Sequence, residues 1–263
     1  MTESIRVENV TKSFTVRYQR TMKQVTLAKV RGERITREFN AIDDVSFSVQ
    51  QGESIGLMGL NGSGKSTLLK MINGVMRPDS GKVLVRGRIS GLIATGAGFH
   101  PQLSGRENLI LNAAILGMSE RETNRKMEQI IDFAELGDKL DNQVGHYSSG
   151  QSSRLGFSVA IHADCDIFLA DEVLAVGDKP FKKKCLAKME EIRDSGRTLF
   201  YVSHAAGSVR RMCDRVLVLQ DGRLGFDGDV NEGIKFLKYD DDLETDPELT
   251  ESEELDEEIG ADI

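Results

Sequence analysis

Alternating apolar and polar residues predict two strands near the start of the chain, at residues 4–10 and 44–49. Residues 50–53 form a predicted turn, and residues 54–58 follow as a short apolar strand. Shorter, glycine-rich strands and a loop are expected between residues 80 and 99.

The pattern changes to a helical period from residue 105 onwards. Apolar positions between 108 and 116 predict a helix that ends at Gly117. Ser119, followed three residues later by Glu122, is a capping box and predicts the start of a second helix. That helix is expected to turn its apolar side chains inward. They are Met127, Ile130, Ile131, Phe133 and Ala134.

A third helix is predicted from about Ser149, and three strands follow at residues 166–170, 198–203 and 215–219. Strands that alternate with helices indicate an α/β fold with a mainly parallel sheet. The helical block at 105–162 is then an inserted subdomain.

Composition places the chain among soluble globular proteins. Its 263 residues are 39% hydrophobic and 29% charged. No apolar run approaches the roughly 18–20 residues of a membrane span, and the N-terminus lacks a signal-peptide pattern. The three cysteines, which have no metal-ligand spacing, are interpreted as reduced thiols in a cytoplasmic protein.

Charge is distributed unevenly. The formal net charge is −8, but residues 239–263 carry 13 acidic side chains and no basic one. Without them, 34 basic residues face 29 acidic ones, a net charge of +5. This acidic tail has no apolar periodicity and is predicted to be disordered, after a domain that spans residues 1–238.

A basic stretch at residues 15–40 has seven Lys or Arg residues against two Glu, and it is longer than a connection between strands requires. Its interpretation as an insertion close to a membrane or a substrate is favoured. A solvated connector and a nucleic-acid contact are the alternatives.

The candidate chemistry begins at a phosphate loop of the form G-x-x-x-x-G-K-[ST]. Its glycines allow turns that point N–H groups at a phosphate, its lysine places a charge near the β- and γ-phosphates, and its serine is a ligand for Mg²⁺. A strand before the loop and a helix after it provide the required context. The predicted nucleotide-binding residues are Gly59, Asn61, Gly62, Ser63, Gly64, Lys65, Ser66 and Thr67.

Two acids and a histidine follow buried strands further along. Asp171 and Glu172 end one strand, and His204 ends the next. Ligands of α/β sheets bind at this carboxyl edge. Asp171 is therefore a candidate Mg²⁺ ligand, Glu172 a candidate for polarising the attacking water, and His204 a candidate γ-phosphate contact.

A fourth motif, Ser148-Ser149-Gly150-Gln151, opens a helix. With the phosphate loop, Asp171-Glu172 and His204 in this order, the chain resembles the ATP-binding subunit of an ABC transporter over about residues 4–238. The resemblance implies a P-loop NTPase (RecA-like) core, an antiparallel β subdomain and an inserted helical subdomain at about 100–162.

The resemblance also implies an ATPase that works as a dimer of two copies. The motif at residues 148–151 is the family's signature, and it would cap ATP on the partner's phosphate loop. Glu172 would be the catalytic base, His204 the switch histidine, and Asp178 part of the aspartate loop that links the two sites.

The segments 96–108, 147–150 and 171–178 resemble the subfamily that exports O-antigen, capsule, teichoic acid and galactan. That implies an integral membrane permease as partner, a lipid-linked glycan as transported substrate, and a place at the cytoplasmic face of the cell membrane. A soluble ABC ATPase acting on nucleic acid or ribosomes is the alternative, and a small-molecule kinase is a third class. Nucleic acid is not the expected partner, because such proteins usually carry two cassettes or long inserts.

Three positions depart from the family pattern or leave a choice. The third signature position is Ser149, where most ABC proteins have Gly, a change that is common in the exporter subfamily. In the loop that joins the core to the helical subdomain, the family offers a Gln or Glu to Mg²⁺. The matching position in this chain is near Ala94 or Thr95, which have neither an acid nor an amide. Gln102 is not the expected substitute, because it comes after Pro101. The adenine-stacking aromatic is Phe14 or Tyr18.

Overall fold

The computed structural model describes residues 2–17, 36–91, 98–171 and 178–237. Within those ranges, no helix combines the length and the apolar character needed to cross a membrane.

An antiparallel three-stranded sheet is built from the N-terminal part of the chain. It consists of β1 (Glu3–Arg17), β2 (Thr36–Gln50) and β4 (Ser80–Val85) in the order β2-β1-β4. Residues 15–17 and 36–40, which were predicted to belong to the basic insertion, lie in β1 and β2 instead. The reason is continued pairing, since the ladder extends from Glu3 opposite Gln50 as far as Arg17 opposite Thr36. Residues 18–35 of the basic stretch lie outside the described ranges.

A second sheet has six strands and carries the site. Its order is β5-β6-β7-β3-β8-β9, and all neighbours are parallel except β8 and β9. The predicted mainly parallel sheet is thereby confirmed. The strands are β3 (Ser54–Met58), β5 (Ile89–Gly91), β6 (Ile167–Asp171), β7 (Thr198–Val202), β8 (Arg215–Gln220) and β9 (Arg223–Asp229).

Seven α-helices are present in the described ranges. They are α1 (Lys65–Ile72), α2 (Gly105–Ile115), α3 (Glu120–Ala134), α4 (Ser149–His162), α5 (Lys179–Asp194), α6 (Ala206–Met212) and α7 (Val230–Phe236).

The parallel sheet is buried on both faces, as its apolar strands require. Successive side chains of a strand point to opposite faces. On β6, Phe168 and Ala170 therefore pack into one core with α4, α5 and α6, while Ile167 and Leu169 pack into another with the antiparallel sheet and α1. A third core, around Leu109, Ile130 and Leu155, holds α2, α3 and α4 together as the helical subdomain.

The predicted capping box at Ser119 is only half correct. Ser119 Oγ accepts a hydrogen bond from the Glu122 N–H, as expected of an N-cap. The Glu122 carboxylate, however, does not return to Ser119. It accepts from Arg88 Nη1 at 2.8 Å and from the Asp164 N–H at 2.9 Å, and the residue is only 8% exposed.

Tertiary contacts explain this difference, because Glu122 joins α3 to the segments that flank β5 and β6. Burial raises the pKa of Glu122, but the hydrogen bonds from Arg88 and Asp164 outweigh it and the net direction is down. The Glu122 carboxylate is thus held ionised at the junction between the helical subdomain and the sheet.

Candidate nucleotide site

The phosphate loop lies at the centre of the parallel sheet. It follows β3, whose residues are all buried and which pairs with β7 on one side and β8 on the other. The loop ends at Gly64, the N-cap of α1. The free N–H groups of the first turn of α1 therefore face the loop, the arrangement that favours bound anions.

Two glycines of the loop are required by close backbone packing. Gly59 and Gly64 have φ values of +147° and +106°. A Cβ at Gly59 would lie 2.3 Å from Leu219 O, and one at Gly64 would lie 2.3 Å from Ala41 O. The loop can follow this path only because neither residue has a side chain.

Lys65 and Ser63 supply the polar groups inside the loop. Lys65 is 7% exposed, and its Nζ donates to Gly59 O at 2.6 Å and to Leu60 O at 3.1 Å. Ser63 Oγ is buried without a hydrogen-bond partner among the described residues. A buried hydroxyl without a partner and a desolvated ammonium fit a phosphate group, whose oxygens accept from both.

The remaining loop residues face solvent to different degrees. Asn61, Gly62 and Ser66 are exposed, and Thr67 is partly exposed. Ser66 is on the first turn of α1, so its hydroxyl is at the surface next to the loop.

Asp171 and His204 come to the same sheet edge as the phosphate loop. Asp171 is the last residue of β6 and pairs with Val202 of β7, while Val202 also pairs with Leu57 of β3. His204 lies two residues beyond the end of β7. β7 lies between β6 and β3, so the two predicted residues lie on the same side of the loop, at the carboxyl end of the sheet. Glu172, the next residue along the chain, lies outside the described ranges.

The signature residues begin α4. Ser148 is the N-cap, its Oγ accepts from the Gln151 N–H at 3.2 Å, and Gln151 Oε1 accepts from the Ser148 N–H at 3.0 Å. This reciprocal pair leaves Ser149 and Gly150 in the first turn, where Ser149 is exposed and Gly150 partly exposed. The helix predicted from about Ser149 is confirmed, and Ser148 is its cap.

The signature residues line a surface pocket of about 730 Å³. The predicted residue Asp178 also lines it, together with Glu135, Lys139 and Arg154. No residue of the phosphate loop lines this pocket, so one chain presents the two halves of the predicted nucleotide site in separate places.

Tyr147, which directly precedes the signature, was not singled out from sequence. Its hydroxyl donates to Lys139 O at 2.7 Å and occupies the space where a Cβ at Gly105 would stand, 2.2 Å away. Burial, with the nearby charge of Asp141, raises the pKa of Tyr147. The Tyr147 hydroxyl thereby anchors the start of the signature to Lys139 and packs beside Gly105, the first residue of α2.

Phe14 packs beside a second aromatic that sequence reasoning missed. The rings of Phe14 and Phe39 are 6.0 Å apart at 30°, and Phe39 is 43% exposed. Two residues after Phe39, the Ala41 carbonyl lies against Gly64 of the loop. Phe39 gave no signal because it falls in the stretch that was predicted to be an insertion. The other candidate, Tyr18, lies outside the described residues, as do Ala94 and Thr95.

Comparison with known proteins gives a consistent assignment. Residues 42–175 match the family described as ABC transporter. The O-antigen export system ATP-binding protein RfbB of Klebsiella pneumoniae is 44% identical over 202 residues, covering 77% of this chain and 82% of RfbB. The teichoic acids export ATP-binding protein TagH of Staphylococcus haemolyticus is 38% identical over 242 residues, covering 90% of each chain.

A solved structure supports the fold. The dimeric ATP-binding cassette MJ0796, in a post-hydrolysis state with ADP and Pi, aligns with a TM-score of 0.66 at 22% identity. The alignment covers 86% of this chain and 98% of the cassette. The chain therefore belongs to the ABC transporter family, and its relatives include ATP-binding proteins of O-antigen and teichoic acid export.

Proposed function

We propose that two copies of this chain bind two ATP molecules between them and that hydrolysis drives export of a lipid-linked polysaccharide through a separate membrane permease. The observation that carries the dimeric part is the separation of the signature pocket from the phosphate loop. A signature that lies apart from the loop of its own chain can complete the loop of a second copy.

Each residue then has a chemical role. The loop N–H groups, Lys65 and Ser63 hold the phosphates, since they offer donors in a buried setting. Ser66 and Asp171 hold Mg²⁺ through oxygen ligands, the type this ion prefers. Bound Mg²⁺ neutralises charge on the transferred phosphoryl group. Glu172 orients the attacking water, His204 contacts the γ-phosphate, and Phe14 or Tyr18 stacks on adenine.

Similarity to RfbB and TagH supports the export part. The two relatives are named for different polymers, and the substrate class that we propose for this chain, a lipid-linked glycan, is broad enough to include both. The permease partner would hold this chain at the cytoplasmic face of the membrane.

An exposed apolar surface on α2 fits such a partner. Leu111 and Ile115, which lie one turn apart on this helix of the helical subdomain, are 36% and 57% exposed. Exposed apolar clusters of this kind mark protein contacts. We assign the contact to the permease because both relatives are named as export ATP-binding proteins.

Replacement of Glu172 by Gln tests the catalytic part. It removes the base while keeping the size of the side chain, so turnover should fall by about 100-fold or more while ATP binding persists. ATPase rate, binding of a fluorescent ATP analogue and ATP-dependent dimerisation by gel filtration measure the three steps.

The control is Glu128→Gln, which makes the same chemical change at an exposed position of α3. Normal turnover in the Glu172→Gln variant would show that Glu172 is not the catalytic base. A wild-type chain that stays monomeric with ATP at every concentration would remove the two-chain site.

A further inference from the structure

Arg154 connects the signature helix to the aspartate loop. It lies on α4, one turn beyond Gln151, and its Nη2 donates to Asp178 Oδ1 at 2.5 Å. The same Asp178 oxygen accepts the Phe181 N–H at 3.3 Å as the N-cap of α5. One guanidinium therefore links the first turns of two helices.

Three contacts hold the guanidinium in place. Besides Asp178, Arg154 donates to Glu135 Oε2 at 3.4 Å, and its Cζ lies 4.5 Å from the centroid of the Phe181 ring. Phe181 is 1% exposed, and the Arg154 side chain is only 17% exposed. A planar group that is stacked on a buried ring has little freedom to reorient.

Glu135 brings a third helix to the same point. It follows the end of α3 with φ at +53°, in the left-handed region, and also pairs with Lys184 of α5 at 2.6 Å. The junction of Glu135, Arg154, Asp178 and Lys184 thus joins α3, α4 and α5.

Stability alone does not explain the arrangement. The carboxylates of Asp178 and Glu135 are 64% and 50% exposed, and exposed ion pairs contribute little to the free energy of folding. What the Arg154 contacts do determine is the orientation of the signature relative to Asp178, because Arg154 lies on the helix that the signature begins and donates to the Asp178 carboxylate.

We infer that Arg154 is a positioning residue for ATP hydrolysis: it fixes the first turn of α4 against Asp178, so that Ser148–Gln151 meet the partner's nucleotide in the reactive geometry. This inference rests on the proposed two-chain site. The Arg154 side chain lines the pocket, but its effect on the nucleotide passes through the orientation of the signature.

Arg154→Met tests the inference, because methionine keeps an apolar side chain over Phe181 and removes the charge. A misplaced signature should lower kcat by about 10- to 100-fold. Binding of a fluorescent ATP analogue to the monomer should stay within about twofold, since the phosphate loop is untouched. In a Glu172→Gln background, Arg154→Met should raise the ATP concentration needed for dimerisation.

Lys184→Met is the matched control. It removes the ion pair between Lys184 and Glu135 and leaves the bond between Arg154 and Asp178 in place. The kcat should therefore stay within about twofold of wild type. Arg154→Lys restores the charge but not the planar fork, and an intermediate kcat is expected.

Two results would overturn the inference. One is a wild-type kcat in Arg154→Met. The other is a loss of kcat that Lys184→Met shares and that follows the urea unfolding midpoint in both variants, which is the behaviour of a purely structural contact. A wild-type chain that neither hydrolyses ATP nor dimerises with it would instead refute the proposed function itself, so the two failures are distinguishable.

Discussion

At the scale of single residues, the phosphate loop depends on backbone space more than on side chains. Gly64 shows this best, because its φ is positive and the Ala41 carbonyl occupies the place of a Cβ. Lys65 and Ser63 can point into the loop only while that path is kept.

Gly64→Ala should abolish binding of a fluorescent ATP analogue, since the added Cβ must displace a strand backbone 2.3 Å away. Gly74→Ala is the matched control. Gly74 also has a positive φ, +75°, but nothing lies within 4 Å of its Cβ position. That variant should lose only about 1–2 kcal/mol of unfolding free energy and keep nucleotide binding. Equal nucleotide binding by the two variants would contradict this account of Gly64.

At the scale of elements, the chain uses the same cap twice for different purposes. Ser104 with Glu107 caps α2, and Ser148 with Gln151 caps α4 by the same pair of reciprocal hydrogen bonds. Hydrogen bonds from the Ser104 N–H and hydroxyl lower the pKa of Glu107, which therefore stays ionised in its cap at neutral pH.

Replacing the two cap serines in turn distinguishes an effect on folding stability from an effect on the ATPase rate. Ser104→Ala and Ser148→Ala should each cost about 1 kcal/mol of unfolding free energy. Only Ser148→Ala should also lower the ATPase rate of the dimer beyond that loss, because Ser148 belongs to the signature. Urea unfolding and steady-state ATPase assays provide the comparison, and equal rates in the two variants would argue against a nucleotide contact by Ser148.

At the scale of the whole molecule, the helical subdomain connects two surfaces. The segment 101–105 leads into α2, and it bonds to residues just before the signature, with the Gly145 N–H donating to Pro101 O at 2.8 Å and the Val144 N–H to Leu103 O at 3.0 Å. The exposed apolar surface of α2 and the signature are therefore parts of one hydrogen-bonded body.

Ile115→Glu should weaken recovery of an integral membrane partner with the tagged chain from solubilised membranes by about tenfold, because the charge must be desolvated in an apolar contact. The ATP affinity of the isolated chain should not change. Leu84→Glu, at a 52% exposed apolar position on β4, is the control and should leave recovery unchanged. Equal recovery with both variants would place the permease contact elsewhere.

The phosphate loop, the buried strands and the capped helix at Ser148 could be predicted from the sequence, because each depends on residues close together in the chain. The segment Gly59–Thr67 contains the glycines that its turns require. The runs at β6, β7 and β8 are continuously apolar, which indicates buried strands. The order of these motifs along the chain also identified the family, which the comparisons confirm.

Only the tertiary structure decided the rest, because these features depend on residues that are distant in sequence. The Glu122 carboxylate accepts hydrogen bonds from Arg88 and Asp164 instead of completing its expected cap. Phe39 packs beside Phe14 because the pairing of their two strands extends further than predicted. Arg154 donates to Asp178 at the point where two helices begin. Local patterns determine which elements form, whereas long-range packing determines which side chains meet. The signature's position apart from its own phosphate loop is a feature of the second kind, and the proposed second copy of the chain rests on it.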